Sequence, residues 1–193
     1  LEGGVSLGAM PVYRFGTEAQ KQQWLPLLTS GSALGAFGLT EAGGGTDAGA
    51  TKTTARLDDG HWVINGSKQF ITNSGTDITK LVTVTAVTGT VGDRREISAI
   101  LIPVPTAGFV AEPAYNKVGW NASDTHPLSF TDVRVPEENL LGERGRGYAN
   151  FLQILDEGRI ADRGPHQELL ARNAEYARLV NAYEHDHPAQ EDA

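Results

Sequence analysis

Residues 38–50 read Gly-Leu-Thr-Glu-Ala-Gly-Gly-Gly-Thr-Asp-Ala-Gly-Ala, and this stretch constrains the fold more than any other in the chain. It follows an apolar run, Ala36-Phe37-Gly38-Leu39-Thr40, that reads as a strand end. The loop carries two hydroxyls, Thr40 and Thr46, and two carboxylates, Glu41 and Asp47. Glycine lets backbone N–H groups approach a ligand without a Cβ in the way, and successive N–H groups in such a turn form a concave anion site. The loop alone leaves two readings open: a flexible surface turn, or a site for a small anionic group.

What surrounds the loop predicts strands. Residues 52–57 form a polar, Thr-rich strand, and Asp58-Asp59-Gly60 supplies a hairpin turn. Residues 61–65 return with Trp62 and Ile64 on one face; Gly66 is a bulge or a second turn, and 69–72 continue the strand. In 81–87, Val82, Val84 and Ala86 alternate with Thr83 and Thr85, the period of a half-buried strand. Residues 97–102, 109–115 and 128–135 complete a set of six to eight short strands, which reads as a barrel or sandwich. Asp93-Arg94-Arg95-Glu96 reads as a solvated loop.

Helices flank this region. Thr17 and Gln20 form a capping box, and a short polar helix over 18–24 is expected to stop at Pro26. After Gly145 and Gly147, Tyr148, Phe151, Leu152 and Leu155 are spaced as one helix face. Gly164-Pro165 interrupts, and a second amphipathic helix is expected from Pro165. The segment 185–193 reads as a disordered polar tail.

The balance of residues excludes several function classes. A formal net charge of −8 argues against broad binding to nucleic acid or an anionic membrane. The chain has no cysteine, which removes thiolate catalysis and Cys-ligated metals. No apolar run is long enough for a membrane-spanning helix and no signal pattern opens the chain, so the default location is cytoplasmic. Leu1 in place of Met marks a fragment or a processed chain. Gly44 and Gly49 have the glycine spacing of a phosphate-binding loop, but Ala50-Thr51 stands where Lys-Ser/Thr is required. His185 and His187 read as a solvated pair, not as metal ligands.

Four ordered motifs carry a resemblance. Gly38, Leu39, Thr40, Glu41, Gly44, Gly45, Thr46, Asp47 and Ala50 fit the first signature of the acyl-CoA dehydrogenase family. Residues 16–26 resemble the helix that precedes that signature. Ile64-Asn65-Gly66-Ser67-Lys68-Gln69-Phe70-Ile71-Thr72-Asn73 resembles the family's second flavin-contacting strand, and 133–142 its exit from the β domain. The resemblance covers residues 1–161. It implies a mainly β fold with flanking helices (α+β), a middle-domain-like barrel or sandwich whose helical domains are truncated. Residues 1–33 are then a remnant of the N-terminal helical domain and 34–141 the FAD- and acyl-CoA-binding β domain. Residues 142–184 are a C-terminal helical segment.

The resemblance also implies chemistry. Phe37, Leu39 and Thr40 would touch the flavin edge, and Phe70, Ile71 and Thr72 would flank the ring, with Thr72 near the redox-active nitrogen. Gly45 and Thr46 complete the implied cofactor set, and Thr46 would bond near the pyrophosphate or the acyl-CoA. The family reaction removes the α-proton of an acyl-CoA with a carboxylate while the β-hydride passes to FAD, and electrons continue to an electron-transferring flavoprotein. Its members are homo-oligomers. That general base belongs to a C-terminal helical domain with no counterpart here, so this chain is expected to hold no catalytic residue and to be inactive alone. The alternative is a non-catalytic β scaffold without cofactor. The tail over 155–183 has a different resemblance, to the C-terminal end of an ABC transporter ATPase domain, in which Asp156-Glu157-Gly158 would be a hairpin turn.

Overall fold

The strand β4 (Thr79–Val91) lies at the centre of the sheet. Its Val82, Val84 and Ala86 face one way, Leu81, Thr83 and Thr85 the other, and all six are fully buried. The alternation in the sequence predicts one wet face; the structure, a computed structural model that describes residues 7–157 and 171–172, covers both. The chain separates into two compact units, Leu1–Glu157 and Gly158–Ala193, and the strands among the described residues belong to the first. Apart from 171–172, the helix expected from Pro165, the pair His185 and His187 and the tail 185–193 lie outside the described residues.

Both edges of β4 are occupied. On one runs β5 (Arg94–Pro103), antiparallel from Leu81↔Pro103 to Val91↔Arg94. The other edge is shared. β1 (Leu34–Gly38) pairs parallel to its first half, ending at Gly38↔Val84, and β2 (Thr54–Asp58) joins it at Thr54↔Val87. The glycine-rich stretch is therefore an excursion: the chain leaves one edge of β4 after Gly38 and returns to the same edge at Thr54.

Outside β2 lies β3 (His61–Thr72), joined to it by a hairpin in which Asp59 and Gly60 both have positive φ, 48° and 68°. β3 pairs antiparallel with β7 (Thr125–Pro136), and β6 (Phe109–Ala111) and β8 (Leu140–Leu141) close the order β6-β7-β3-β2-β4-β5-β8. The register of β3 against β7 breaks between Ile64 and Gly66 and again between Lys68 and Ile71. At the first break the extra residue lies in β7, where three steps from Val133 to Phe130 oppose two from Ile64 to Gly66, and Gly66 sits against that bulge on β3. The φ of Gly66 is +143°, and a Cβ there would fall 2.6 Å from Thr53 Oγ1, so only glycine lets the strand bend against Thr53. The sheet curls until Ile64, Phe130 and Val135 from the β3–β7 half meet Val84, Ile100 and Ile102 from the β4–β5 half in one core.

The far face of β4 and β5 is dry because helices cover it. α1 (Met10–Phe15) and α2 (Glu18–Thr29) place Val12, Trp24 and Leu28 against Leu81, Leu101 and Leu141. The capping box of α2 is present in both directions, Gln20 N–H to Thr17 Oγ1 and Thr17 N–H to Gln20 Oε1. α2 does not stop at Pro26. Trp24 and Leu28, four residues apart, both bury against the sheet, whereas Gln22 and Pro26 face solvent. The carbonyl that loses its partner to Pro26 is thus on the wet side, and packing carries the helix through.

Three other expectations change. The strand expected over 109–115 ends at Ala111, before Pro113. Arg94, Arg95 and Glu96 are strand residues, not loop: Arg95 reaches the carbonyls of Thr51 and Gly49, and Glu96 pairs with Arg144. α3 (Gly147–Glu157) buries Phe151 and Ile154, three apart, while Leu152 and Leu155 are exposed. No helix among the described residues is long and apolar enough to cross a membrane.

Candidate functional site

Where β1 and β3 end, they come side by side. The Gln69 N–H donates to the Thr40 carbonyl at 2.8 Å, which ties the glycine stretch to the second motif. Between them opens a cleft of about 200 Å³ lined by Phe37, Leu39, Thr40, Phe70, Ile71 and Thr72, with Leu7 and Phe151 at its margin. These six are the residues proposed from sequence to meet a flavin edge and ring. Gly45 and Thr46 are not brought in; both are exposed on the loop, outside the cleft lining.

Aromatic faces form the walls. Phe37 stacks on Phe151 with ring centroids 4.6 Å apart, and Phe70 stacks on Tyr115 at 4.9 Å. The Tyr115 hydroxyl donates to Gln69 Oε1, which fixes the outer ring. Phe70 is 64% exposed and sits at φ +61°, in the second register break of β3. A bulky side chain in the left-handed region costs roughly 1–2 kcal/mol. An apolar ring held there at the mouth of a cleft, instead of in the core, marks a strained position of the kind found at ligand sites.

The loop itself is not free. Glu41 and Gly44 exchange backbone bonds at 3.0 Å in both directions, a short 3₁₀ turn spans Ala48–Ala50, and Arg95 holds the carbonyls of Gly49 and Thr51. Beneath it lies a buried ion pair. Lys68 Nζ is 2.8 Å from Glu41 Oε1, with the two side chains 0% and 8% exposed. The ammonium also donates to the Leu39 carbonyl and to Thr85 Oγ1, each at 3.1 Å. Glu41 in turn accepts from the Lys52 N–H at 2.7 Å and the Thr53 N–H at 3.0 Å. One pair thus fastens both ends of the excursion.

Burial works against both charges. It would raise the Glu41 carboxyl, but the Lys68 ammonium and the Lys52 and Thr53 donors outweigh it and hold the group below its ordinary 4.5. Burial pushes the Lys68 ammonium below its ordinary 10.5 against the pull of Glu41. Neither residue is among the site residues expected from the sequence. The signal was present: counting by twos from the inward Trp62 and Ile64 reaches Lys68, and a lysine aimed into a core requires an acid partner.

A wider groove of about 510 Å³ lies between β2 and β4, bordered by Arg56, Leu57, Thr88 and Arg144. Size does not make it the better site. Arg144 is already engaged by Glu96 and the Thr88 carbonyl and lies over the Trp62 ring at 5.6 Å, and among the described residues no aromatic side chain lines the groove. In the smaller cleft, by contrast, the hydroxyls of Thr40 and Thr72 and the Thr40 N–H find no hydrogen-bond partner among the described residues. Flat apolar walls with unused donors at the rim suit a planar, polar-edged ring.

Residues 36–133 match the family model described as "Acyl-CoA dehydrogenase, middle domain", and residues 1–32 the one described as "Acyl-CoA dehydrogenase, N-terminal domain". A Bacillus subtilis (strain 168) protein named probable acyl-CoA dehydrogenase YngJ is 49% identical over 158 residues, 81% of this chain and 41% of that protein. The mitochondrial short-chain specific acyl-CoA dehydrogenase of Rattus norvegicus is 45% identical over 155 residues, 80% of this chain and 37% of its own length. Among solved structures, an acyl-CoA dehydrogenase complexed with FAD from Bacillus anthracis aligns with a TM-score of 0.75 at 41% identity, over 81% of this chain and 26% of that one. The chain thus spans about two fifths of the length of these curated relatives. Nothing in these matches supports the transporter-like reading of the tail; Asp156 and Glu157 are helical, not a hairpin turn, and the rest of that segment, apart from 171–172, lies outside the described residues. With both family models matched in order and the signature segments meeting at one cleft, the chain belongs to the acyl-CoA dehydrogenase family.

Proposed function

We propose that this chain is the flavin-cradling part of an enzyme that oxidises acyl-CoA thioesters across the α,β bond. The observation that supports the reading best is the convergence of Phe37, Leu39, Thr40, Phe70, Ile71 and Thr72, from two distant segments, on one aromatic-walled cleft. The residues fit FAD. Phe37 and Phe70 offer apolar faces that exclude water from a flat ring, and Thr40 and Thr72 offer donors to its polar edge. Bound there, FAD supplies a two-electron acceptor. Gly45 and Thr46 stand outside the cleft and are assigned to the extended part of the cofactor or to acyl-CoA.

Among the described residues, none that lines the cleft is a carboxylate or another titratable base. The α-proton of a thioester must therefore be taken by a group outside this lining, and these residues serve to bind and orient. Short-chain acyl-CoA is the substrate class to test first, given the names of the relatives, with an electron-transferring flavoprotein as the electron acceptor and a homo-oligomer as the working assembly.

The test is reconstitution. The purified chain is mixed with FAD and desalted, and its visible absorbance is read. Retained flavin absorbance is expected; protein that stays colourless leaves only a β scaffold without cofactor. Butyryl-CoA added to the loaded chain is expected to cause no bleaching, because none of the described residues that line the cleft can take the α-proton.

A further inference from the structure

The buried pair beneath the cleft touches no ligand position directly, yet it contacts the rim through one carbonyl. Lys68 Nζ donates to the Leu39 oxygen at 3.1 Å, and Leu39 and Thr40 both line the cleft. A trans peptide is planar, so its N–H points opposite to its C=O. The Thr40 N–H is thus directed away from the ammonium. Among the described residues it has no acceptor.

We propose that Lys68 and Glu41 are positioning residues for the cofactor: the pair fixes the Leu39–Thr40 peptide and polarises it, so that the Thr40 N–H is held ready as a strong donor to the flavin edge. This rests on the flavin reading of the cleft. A charge-assisted bond to a carbonyl draws electron density toward that oxygen and strengthens the N–H of the same peptide as a donor. The arrangement resists relaxation. Gly38 packs so closely that a Cβ there would meet Lys68 Cγ at 3.2 Å and Val84 Cγ1 at 3.1 Å, and Thr85 Oγ1 holds the ammonium from the β4 side at 3.1 Å. Glu41 closes the frame by accepting the Lys52 and Thr53 amides, so the loop cannot lift without breaking the pair. A purely stabilising ion pair needs no contact with the rim carbonyl; this one has it.

The experiment compares the chain with the double variant Lys68→Met, Glu41→Gln, which keeps bulk and buries no lone charge. Amide hydrogen exchange is read at Gln69, whose N–H is bonded to the Thr40 carbonyl, and at Val84 and Ile100 in the core. Exchange at Gln69 is expected to rise about tenfold, with Val84 and Ile100 little changed. FAD affinity is expected to fall about tenfold, and the reduction potential of the bound flavin to drop, because a weaker donor stabilises the reduced ring less. Unchanged Gln69 exchange overturns the proposal. So does equal acceleration at all three amides, which would make the pair a general stabiliser, and so does an unaltered FAD affinity. If the unmodified chain takes up no FAD, the flavin reading falls, while Gln69 exchange still decides whether the pair positions the rim. Should the double variant fail to fold, Thr85→Val removes only one contact to the ammonium and is expected to shift the same readouts in the same direction.

Discussion

At the scale of single residues, Glu41 and Phe70 are held for opposite reasons. Glu41 is buried and fully bonded, so replacing it alone by Gln leaves the Lys68 ammonium without a counter-charge in the core. Breaking a buried pair from one side typically costs about 3–5 kcal/mol. Urea unfolding is expected to show a loss of that size for Glu41→Gln, and a smaller one for the double variant with Lys68→Met. The pH dependence follows from the direction of the shift. The folded carboxyl titrates below its ordinary 4.5, so its contribution is complete above that value and is lost as pH falls through the depressed folded value. Melting temperature is expected to decline on acidification below about pH 5, less steeply in the double variant. Phe70 is exposed and strained. In Phe70→Gly, relief of the left-handed backbone, about 1–2 kcal/mol, is offset by loss of the Tyr115 stack, about 0.5–1.5 kcal/mol. Stability is expected to stay nearly level while FAD affinity drops, a split that a residue kept only for packing would not give.

At the scale of elements, α2 and β4 show packing overruling local preference. α2 runs through Pro26 because Trp24 and Leu28 anchor the helix on either side of it against Leu81 and Leu101. A proline in a helix interior is disfavoured by about 3 kcal/mol relative to alanine. Pro26→Ala, on the solvent face, is expected to raise stability by about 1–3 kcal/mol, read as a higher midpoint in urea with unchanged slope. No gain would mean that the helix ends near Trp24 in solution. β4 carries threonines at 83 and 85 on the face that α1, α2 and the Lys68 network cover. Their alternation with valines looks like a half-exposed strand because threonine suits either setting; only the helix layer decides which one applies.

At the scale of the whole molecule, the cleft depends on sheet topology. β1 and β2 occupy one edge of β4 in succession, and the chain between them is forced outward as the loop. β3 then returns beside β1 at Gln69, which brings residues near 37–40 and 70–72 together. A ligand that binds this folded arrangement and not the unfolded chain stabilises it by mass action. At a free FAD concentration of about 100 times its dissociation constant, the gain is about 2.7 kcal/mol. Calorimetry is therefore expected to show a melting temperature that rises with FAD, and Phe70→Gly is expected to shrink that rise. A melting temperature indifferent to FAD would count against the cleft as its site.

Most of the strands, the capping box of α2, the hairpin at Asp59-Gly60 and the family are legible along the chain, because each rests on local chemistry: a period of two, a side chain within reach of its own backbone, residues that tolerate positive φ. So are the six residues of the cleft, through motifs whose order along the chain is fixed. That both faces of β4 are dry, that Gly45 and Thr46 stand apart from the cleft, and that Lys68 reaches Glu41 beneath it follow from the folded arrangement alone. Those outcomes depend on which segments become neighbours, and neighbourhood across a curled sheet is set by strand order and register, which no local pattern encodes.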